Sequence, residues 1–292
     1  MIKDSELIIN KDGTIFHLHL LPGEVAEKII LVGDPGRVKM ISSFFEKTEV
    51  TRSNREFVTT TGYYRGKRLT VLSTGIGTDN IDIVVNELDA LVNINLKTRE
   101  INPVLKTLQF VRIGTSGGLQ PDLPINSFVV SKKSIGFDGM LHFYADLERH
   151  CDHDFETEFR KFTDWNKNLP SPYIIDASPG MVELFSGERF IHGITISAPG
   201  FYGPQGREVR LPLAVPGLNR MIGEFRYNES KITNFEMECS AIYGLSRLLG
   251  HQAITVCVII ANRVTREASG NYKPVMEQLV ELVLDKLTTG NN

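Results

Sequence analysis

Apolar residues along this chain recur in two rhythms. Short stretches rich in aliphatic and β-branched side chains at 28–32, 108–113, 127–131, 193–198 and 253–261 have the length and composition of buried strands. Segments with apolar positions three and four apart, at 80–92, 238–249 and 274–287, predict amphipathic helices, and Gly250 is placed to cap the second. The first strand runs into Gly33-Asp34-Pro35-Gly36-Arg37, a turn leading to a helix over 36–46. The runs 57–64 and 68–73 flank Arg65-Gly66-Lys67 and read as a hairpin. The strand at 108–113 is expected to break at Gly114-Thr115-Ser116-Gly117-Gly118. The charged stretch 146–167 carries a weak helical pattern and is expected at the periphery. Strands alternating with helices predict an α/β sheet protein. No repeat or linker divides the chain, so 1–292 reads as one domain, with 1–15 and 288–292 peripheral or frayed.

Composition narrows the function classes. The 292 residues are 41% hydrophobic and 23% charged, ordinary for a globular chain with a sizeable core. A formal net charge of -3 supplies no global field for nucleic acid or an anionic membrane, so neither partner is expected. The longest apolar run, 253–261, is too short to span a bilayer. Cys151, Cys239 and Cys257 lack paired spacing, and residues 1–11 are too polar for a secretory signal; both point to a reduced, cytoplasmic protein. His150-Cys151-Asp152-His153 has metal-ligand residue types without a supporting spacing, so no metal is expected there.

Candidate chemistry sits where strands end. Phe201-Tyr202-Gly203-Pro204-Gln205-Gly206-Arg207 puts a ring, a primary amide and a guanidinium on one short loop. A uracil ring has a flat face that Phe201 could cover. Its edge reads acceptor, donor, acceptor, which suits the Gln205 amide and the Arg207 guanidinium. Gly33-Asp34-Pro35-Gly36-Arg37 and Arg112-Ile113-Gly114-Thr115 each combine backbone amides, glycine and a cation, a pattern that suits an anion. Glu236, Met237 and Glu238 offer carboxylates for vicinal hydroxyls and an apolar group for a sugar face. Gly75-Ile76-Gly77 lacks the third glycine of a dinucleotide fingerprint, since Asn80 stands there, and no Walker motif occurs. Each motif taken singly is also what an ordinary surface turn or an acidic helix start carries.

Taken in order, Gly33-Asp34-Pro35-x-Arg37, Arg55-Glu56-Phe57, Ser73-Thr74-Gly75-Ile76-Gly77, Arg112-Ile113-Gly114-Thr115, Gln205-Gly206-Arg207, Phe235-Glu236-Met237-Glu238 and Asn262-Arg263 resemble the nucleoside phosphorylase family, over nearly the whole chain. Within the family the likeness is to members acting on uridine, because a Gln-x-Arg base clamp is present and Asn262 stands where purine-acting bacterial members carry Asp. The resemblance implies a single-domain, three-layer fold with a mixed central β-sheet flanked by helices. It implies a phosphate site from Gly33, Arg37, Arg112 and Thr115, with Arg55 from a neighbouring subunit. Glu236, Met237 and Glu238 would hold ribose, joined by the neighbour's Phe16 and His17. Phe201, Gln205, Arg207, Arg263 and Ile260 would bind the base, with Ala261 shaping the wall. Arg207, Gln205 and Arg112 would carry catalysis.

The resemblance also implies that no cofactor is required, with inorganic phosphate as co-substrate and self-association as a dimer or hexamer. A structural K+ at a subunit interface would lie near Glu56 and the Ile76 carbonyl, where Asn80 replaces the serine of some bacterial members. Two segments depart from the family pattern: 96–109 is longer than in compact bacterial relatives, and 208–218 is distinctive in a region that helps close the site. Open alternatives are a purine or broad-specificity phosphorylase, a nucleosidase using water, and a non-catalytic nucleoside-binding protein.

Overall fold

A computed structural model describes residues 1–289. Strand β1 (Lys28–Val32) leads into helix α1 (Pro35–Ser42), and β2 (Lys47–Asn54), β3 (Phe57–Tyr64) and β4 (Lys67–Ser73) follow as an antiparallel meander. Helix α2 (Thr78–Asn93) is followed by a small two-stranded excursion, β5 (Ile94–Asn95) and β6 (Glu100–Ile101). Then come β7 (Gln109–Gly118), β8 (Phe128–Gly136), α3 (His153–Phe162), β9 (Tyr173–Asp176), α4 (Pro179–Leu184) and β10 (Phe190–Ser197). The chain closes with α5 (Leu218–Glu224), β11 (Arg226–Tyr227), β12 (Ser230–Glu236), α6 (Cys239–Leu249), β13 (Gln252–Asn262), β14 (Glu267–Ala268) and α7 (Lys273–Thr289).

Twelve strands make one mixed sheet, in the order β11-β12-β10-β8-β13-β7-β1-β4-β3-β2, with β9 and β14 beside β8 and β13. β7 belongs to two structures at once. Its first half pairs in parallel with β1 (Leu31 opposite Arg112), as part of an open wing. Its last residues pair with β12 (Gly118 opposite Asn234), which closes β7, β13, β8, β10 and β12 into a barrel. Helices α2 and α6 pack on each other, and α6 covers β13 and β8. The fold is the mixed α/β sheet flanked by helices expected from the resemblance.

Several differences from the hydrophobic pattern have clear causes. The strand at 109–118 does not break at its glycines, because β13 pairs with it all the way from Gln109 to Gly118. Helix α1 ends at Ser42 rather than 46, where three-residue turns from Phe44 to Ile41 and Phe45 to Ser42 replace helical bonds. The charged stretch 146–167 is not wholly peripheral: Phe155 and Phe159 of α3 are fully buried against Phe225. Residues 1–13 are largely exposed, whereas Ile15 is buried and bridges to Ile9. Helix α7 continues through Thr289, with Thr288 buried. Residues 290–292, the rest of the segment expected to fray, lie outside the described residues. No helix among the described residues is long and apolar enough to cross a membrane.

Candidate active site

Parallel strands bring the carboxyl ends of β1, β4 and β7 to one side of the sheet, where α/β proteins form crevices. The turns after β1 and β4, the glycine end of β7, the junction from β12 to α6, the end of β13 and the loop after β10 enclose a cavity of about 790 Å³. Gly33, Arg37, Arg112, Thr115, Phe201, Gln205, Arg207, Glu236, Met237, Glu238 and Ile260 all line it. These residues span more than two hundred positions of sequence and meet in one place.

The anion corner begins at α1. The Asp34 carboxylate caps the helix by accepting from the Gly36 amide at 2.8 Å, and Pro35 starts it. Arg37 is half-buried and donates to the Ile113 carbonyl at 3.2 Å. Burial, and then the nearby charge of Arg112, push its pKa down. Two cations that repel each other across a cavity make a place for an anion. Gly33 allows close approach of the two turns, since a Cβ there would stand 3.2 Å from the Gly75 carbonyl oxygen.

Arg112 is nearly fully buried and points along its own strand. Gly114 is two residues on, on the same face, and a Cβ there would meet the Arg112 Nη1 at 2.1 Å. Glycine at 114 therefore makes room for the guanidinium. Arg112 forms an ion pair with Glu238, contacts Glu236 at 3.3 Å and donates to the Cys257 sulfur at 3.5 Å. These carboxylates raise its pKa against the opposing effect of burial.

Glu236 ends β12 just before α6, accepting from the Glu238 and Cys239 amides at 2.9 Å and from the Ser197 hydroxyl at 2.5 Å. Burial is the largest influence on it and, with Glu238, pushes its pKa up to about 7 against the pull of Arg112 and Ser197. Glu238 also accepts from the Gly77 amide at 2.9 Å, which ties the two edges of the cavity together. Met237 lies between the carboxylates and is half-buried. The pair can accept from the hydroxyls of a sugar while Arg112 holds their charge in place.

The loop after β10 carries the third group. Gln205 is buried, and its side-chain oxygen accepts from Arg207 at 2.6 Å. Arg207 also donates to the Phe201 carbonyl at 2.5 Å and lies 3.8 Å from the Phe201 ring centroid, a cation–π stack. Gly206 has φ 66° and lies under Asn219, which donates to the Gln205 carbonyl at 3.0 Å. Burial pushes the Arg207 pKa down.

Not every candidate residue lines the cavity. Arg263 donates to the carbonyls of Gln205 and Gly206, so it braces the base loop from behind. Asn262 is buried and fastens the Gln120 and Leu123 carbonyls, each at 2.8 Å. Phe16, His17 and Arg55 cluster elsewhere. His17 Nδ1 lies 2.6 Å from Glu87, and the exposed Arg55 stands 5.9 Å from the Phe16 ring centroid. Glu56, Ile76 and Asn80 do line the cavity, and the Asn80 Nδ2 donates to Glu56 at 3.3 Å. Glu56 and the Ile76 carbonyl suit a monovalent cation, but the Asn80 amide presents its donor end to the carboxylate such an ion would need. Ser197 and Cys257, which touch Glu236 and Arg112, had no signal in the sequence; only strand pairing places them.

Fold and cavity together define the nucleoside phosphorylase class. The family model of the phosphorylase superfamily matches residues 27–287, and the chain belongs to that family. It is 32% identical to a uridine phosphorylase of Thermococcus kodakarensis over 88% of this chain and 80% of that protein. It is 26% identical to a guanosine phosphorylase of Halorubrum lacusprofundi over 93% of this chain and 97% of that one. The crystal structure of a Trypanosoma brucei nucleoside phosphorylase, reported to show uridine phosphorylase activity, superposes with a TM-score of 0.87 at 31% identity, covering 97% of this chain and all of that one.

Proposed function

We propose that this protein cleaves uridine with inorganic phosphate, giving uracil and ribose 1-phosphate in the reversible manner of pyrimidine salvage. The observation that carries this reading is the Gln205–Arg207 pair facing the same cavity as Arg37, Arg112 and the carboxylates Glu236 and Glu238. Phosphate oxygen attacks C1′ as the bond from C1′ to N1 breaks, and the bonding pair leaves with the base. The sugar is cationic at the midpoint, and phosphate on one face stabilises it. Negative charge then grows on the uracil ring, where Arg207 donates and Gln205 fixes the ring edge. No covalent enzyme intermediate is needed; positioning and electrostatics supply the acceleration.

Release of uracil from uridine, followed with and without phosphate, tests the proposal. Turnover is expected only with phosphate, and equal rates in its absence would make the protein a nucleosidase. A guanosine-acting relative of comparable coverage supports one further arm, a parallel assay of inosine and guanosine. The Gln205–Arg207 clamp favours the pyrimidine.

The working unit is proposed to be a dimer or a hexamer in which Phe16, His17 and Arg55 complete a neighbour's site. Their clustering apart from the cavity of their own chain supports this. Arg55→Ala and Arg207→Ala proteins, each weakly active alone, are expected to regain activity when unfolded and refolded together. A mixed pair has one site with both arginines intact. Absence of any regain would place Arg55 outside the site. No cofactor is proposed, and K+ is proposed to be dispensable because Asn80 already donates to Glu56. Residues 1–292 are read as one catalytic domain working in the cytoplasm on small molecules, without nucleic-acid or membrane partners.

A further inference from the structure

A second cavity, of about 1030 Å³, opens at the amino ends of β1 and β4, the pole opposite the active site. The length of β1 alone separates the two by roughly 15 Å. Its walls come from stretches the active site does not use: the N-terminal turn around residues 9–13, and the excursion from Leu91 to Lys106 that includes β5. The excursion is fastened firmly. The Asn93 side chain accepts from the Lys106 amide at 2.7 Å and donates to the Lys106 carbonyl at 3.1 Å, while the Asn102 amide donates to the Asn93 carbonyl at 2.8 Å.

The chemistry of this cavity is lopsided. Lys28, Lys67, Arg68, Lys97 and Lys106 line it against only Asp12 and Glu27. Arg68 is committed to Glu49 and to the carbonyls of Val25 and Gly23, so it frames the wall. Lys28 is half-buried and held by the Leu287 carbonyl at 2.6 Å, and burial followed by the charge of Lys67 pushes its pKa down. Leu91, Ile94 and Leu96 make an apolar side. A lining with more basic than acidic side chains next to an apolar wall suits an anion with a flat or aliphatic part.

We propose that this cavity binds a small organic phosphate of nucleoside monophosphate size. The phosphate is held by Lys97 and Lys106, both exposed on the excursion, and the apolar part rests against Leu91 and Ile94. The inference does not depend on the uridine reading, since it uses none of the active-site residues.

Calorimetric titration of the full chain with 5′-AMP, adenosine and inorganic phosphate tests it, in the wild type and in a K97E/K106E variant. Both lysines are exposed, so the variant is expected to fold. Wild-type protein is expected to bind AMP more tightly than either fragment. The variant is expected to lose about tenfold or more in AMP affinity while turning over uridine at the wild-type rate. AMP should leave the KM for uridine unchanged. Equal AMP affinity in both proteins, no AMP binding, or competition between AMP and uridine would each overturn the proposal. If uridine is not turned over at all, the uridine reading fails, and the AMP affinity ratio still decides this one.

Discussion

Arg207→Ala is expected to lower uridine turnover about 10²–10³-fold, the scale of losing a donor aimed at developing negative charge. In the free protein the guanidinium lies over the Phe201 ring and bonds to the Gln205 oxygen. It is held by neutral groups of the base loop, the Gln205 oxygen, the Phe201 carbonyl and the Phe201 ring, so its charge is available to a departing pyrimidine. The loss should fall on kcat as well as on kcat/KM, because the interaction strengthens only as the bond to N1 breaks. Stability should change little: Arg263 and Asn219 fasten the loop independently. Steady-state kinetics at saturating phosphate check this. Near-wild-type kcat in the variant would remove Arg207 from catalysis.

Arg112→Ala is expected to abolish detectable turnover and to destabilise the fold by about 3–5 kcal/mol, the range for stripping one partner from a buried ion pair. Without the guanidinium, Glu236 and Glu238 face each other in a buried corner with no cation between them. The pH dependence has a definite sign. The Glu236 pKa is raised from 4.5 to about 7 in the folded protein. The folded state therefore holds a proton that the unfolded chain releases, and that contribution to stability is present below pH 4.5 and lost as pH rises through 7. Removing Arg112 raises the Glu236 pKa further, so the Tm deficit of the variant should grow between pH 5 and pH 8. Glu236→Gln added to Arg112→Ala is expected to recover much of the Tm without recovering turnover. Melting curves across that range, with an activity assay on both variants, check the pair of outcomes. A Tm deficit that does not change with pH would mean the carboxylates are not charged partners of Arg112.

How legible the protein is from its sequence depends on where each residue's partners lie. The strand at 28–32 shows as the apolar run 29–32 because those residues are central and buried on both faces, and the 57–64 hairpin shows because its turn residues are local. β2 leaves no apolar signal: Lys47–Asn54 is an edge strand, paired only with β3, and an edge tolerates polar residues on both faces. The burial of Phe155 and Phe159 was masked by the charged residues around them on α3. The site reads similarly. The amide–guanidinium loop is visible because its groups are two residues apart. The contact between Arg112 and Glu238 spans 126 positions and cannot be seen from either motif.

Local pattern alone specifies the alternation of strands and helices, and the chemical kinds of group available at strand ends: guanidinium, carboxylate, amide and glycine. Those follow from periodicity and from side-chain chemistry, which are properties of single segments. Folding of the whole chain is what shares Arg112 between two carboxylates, sets Arg263 behind the base loop, gathers Phe16, His17 and Arg55 away from their own chain's cavity, and opens a basic cavity at the far pole. Such distances are set when β12 closes against β7 and the parallel strands align their ends. Contacts between distant segments depend on sheet register and closure, which belong to the chain as a whole.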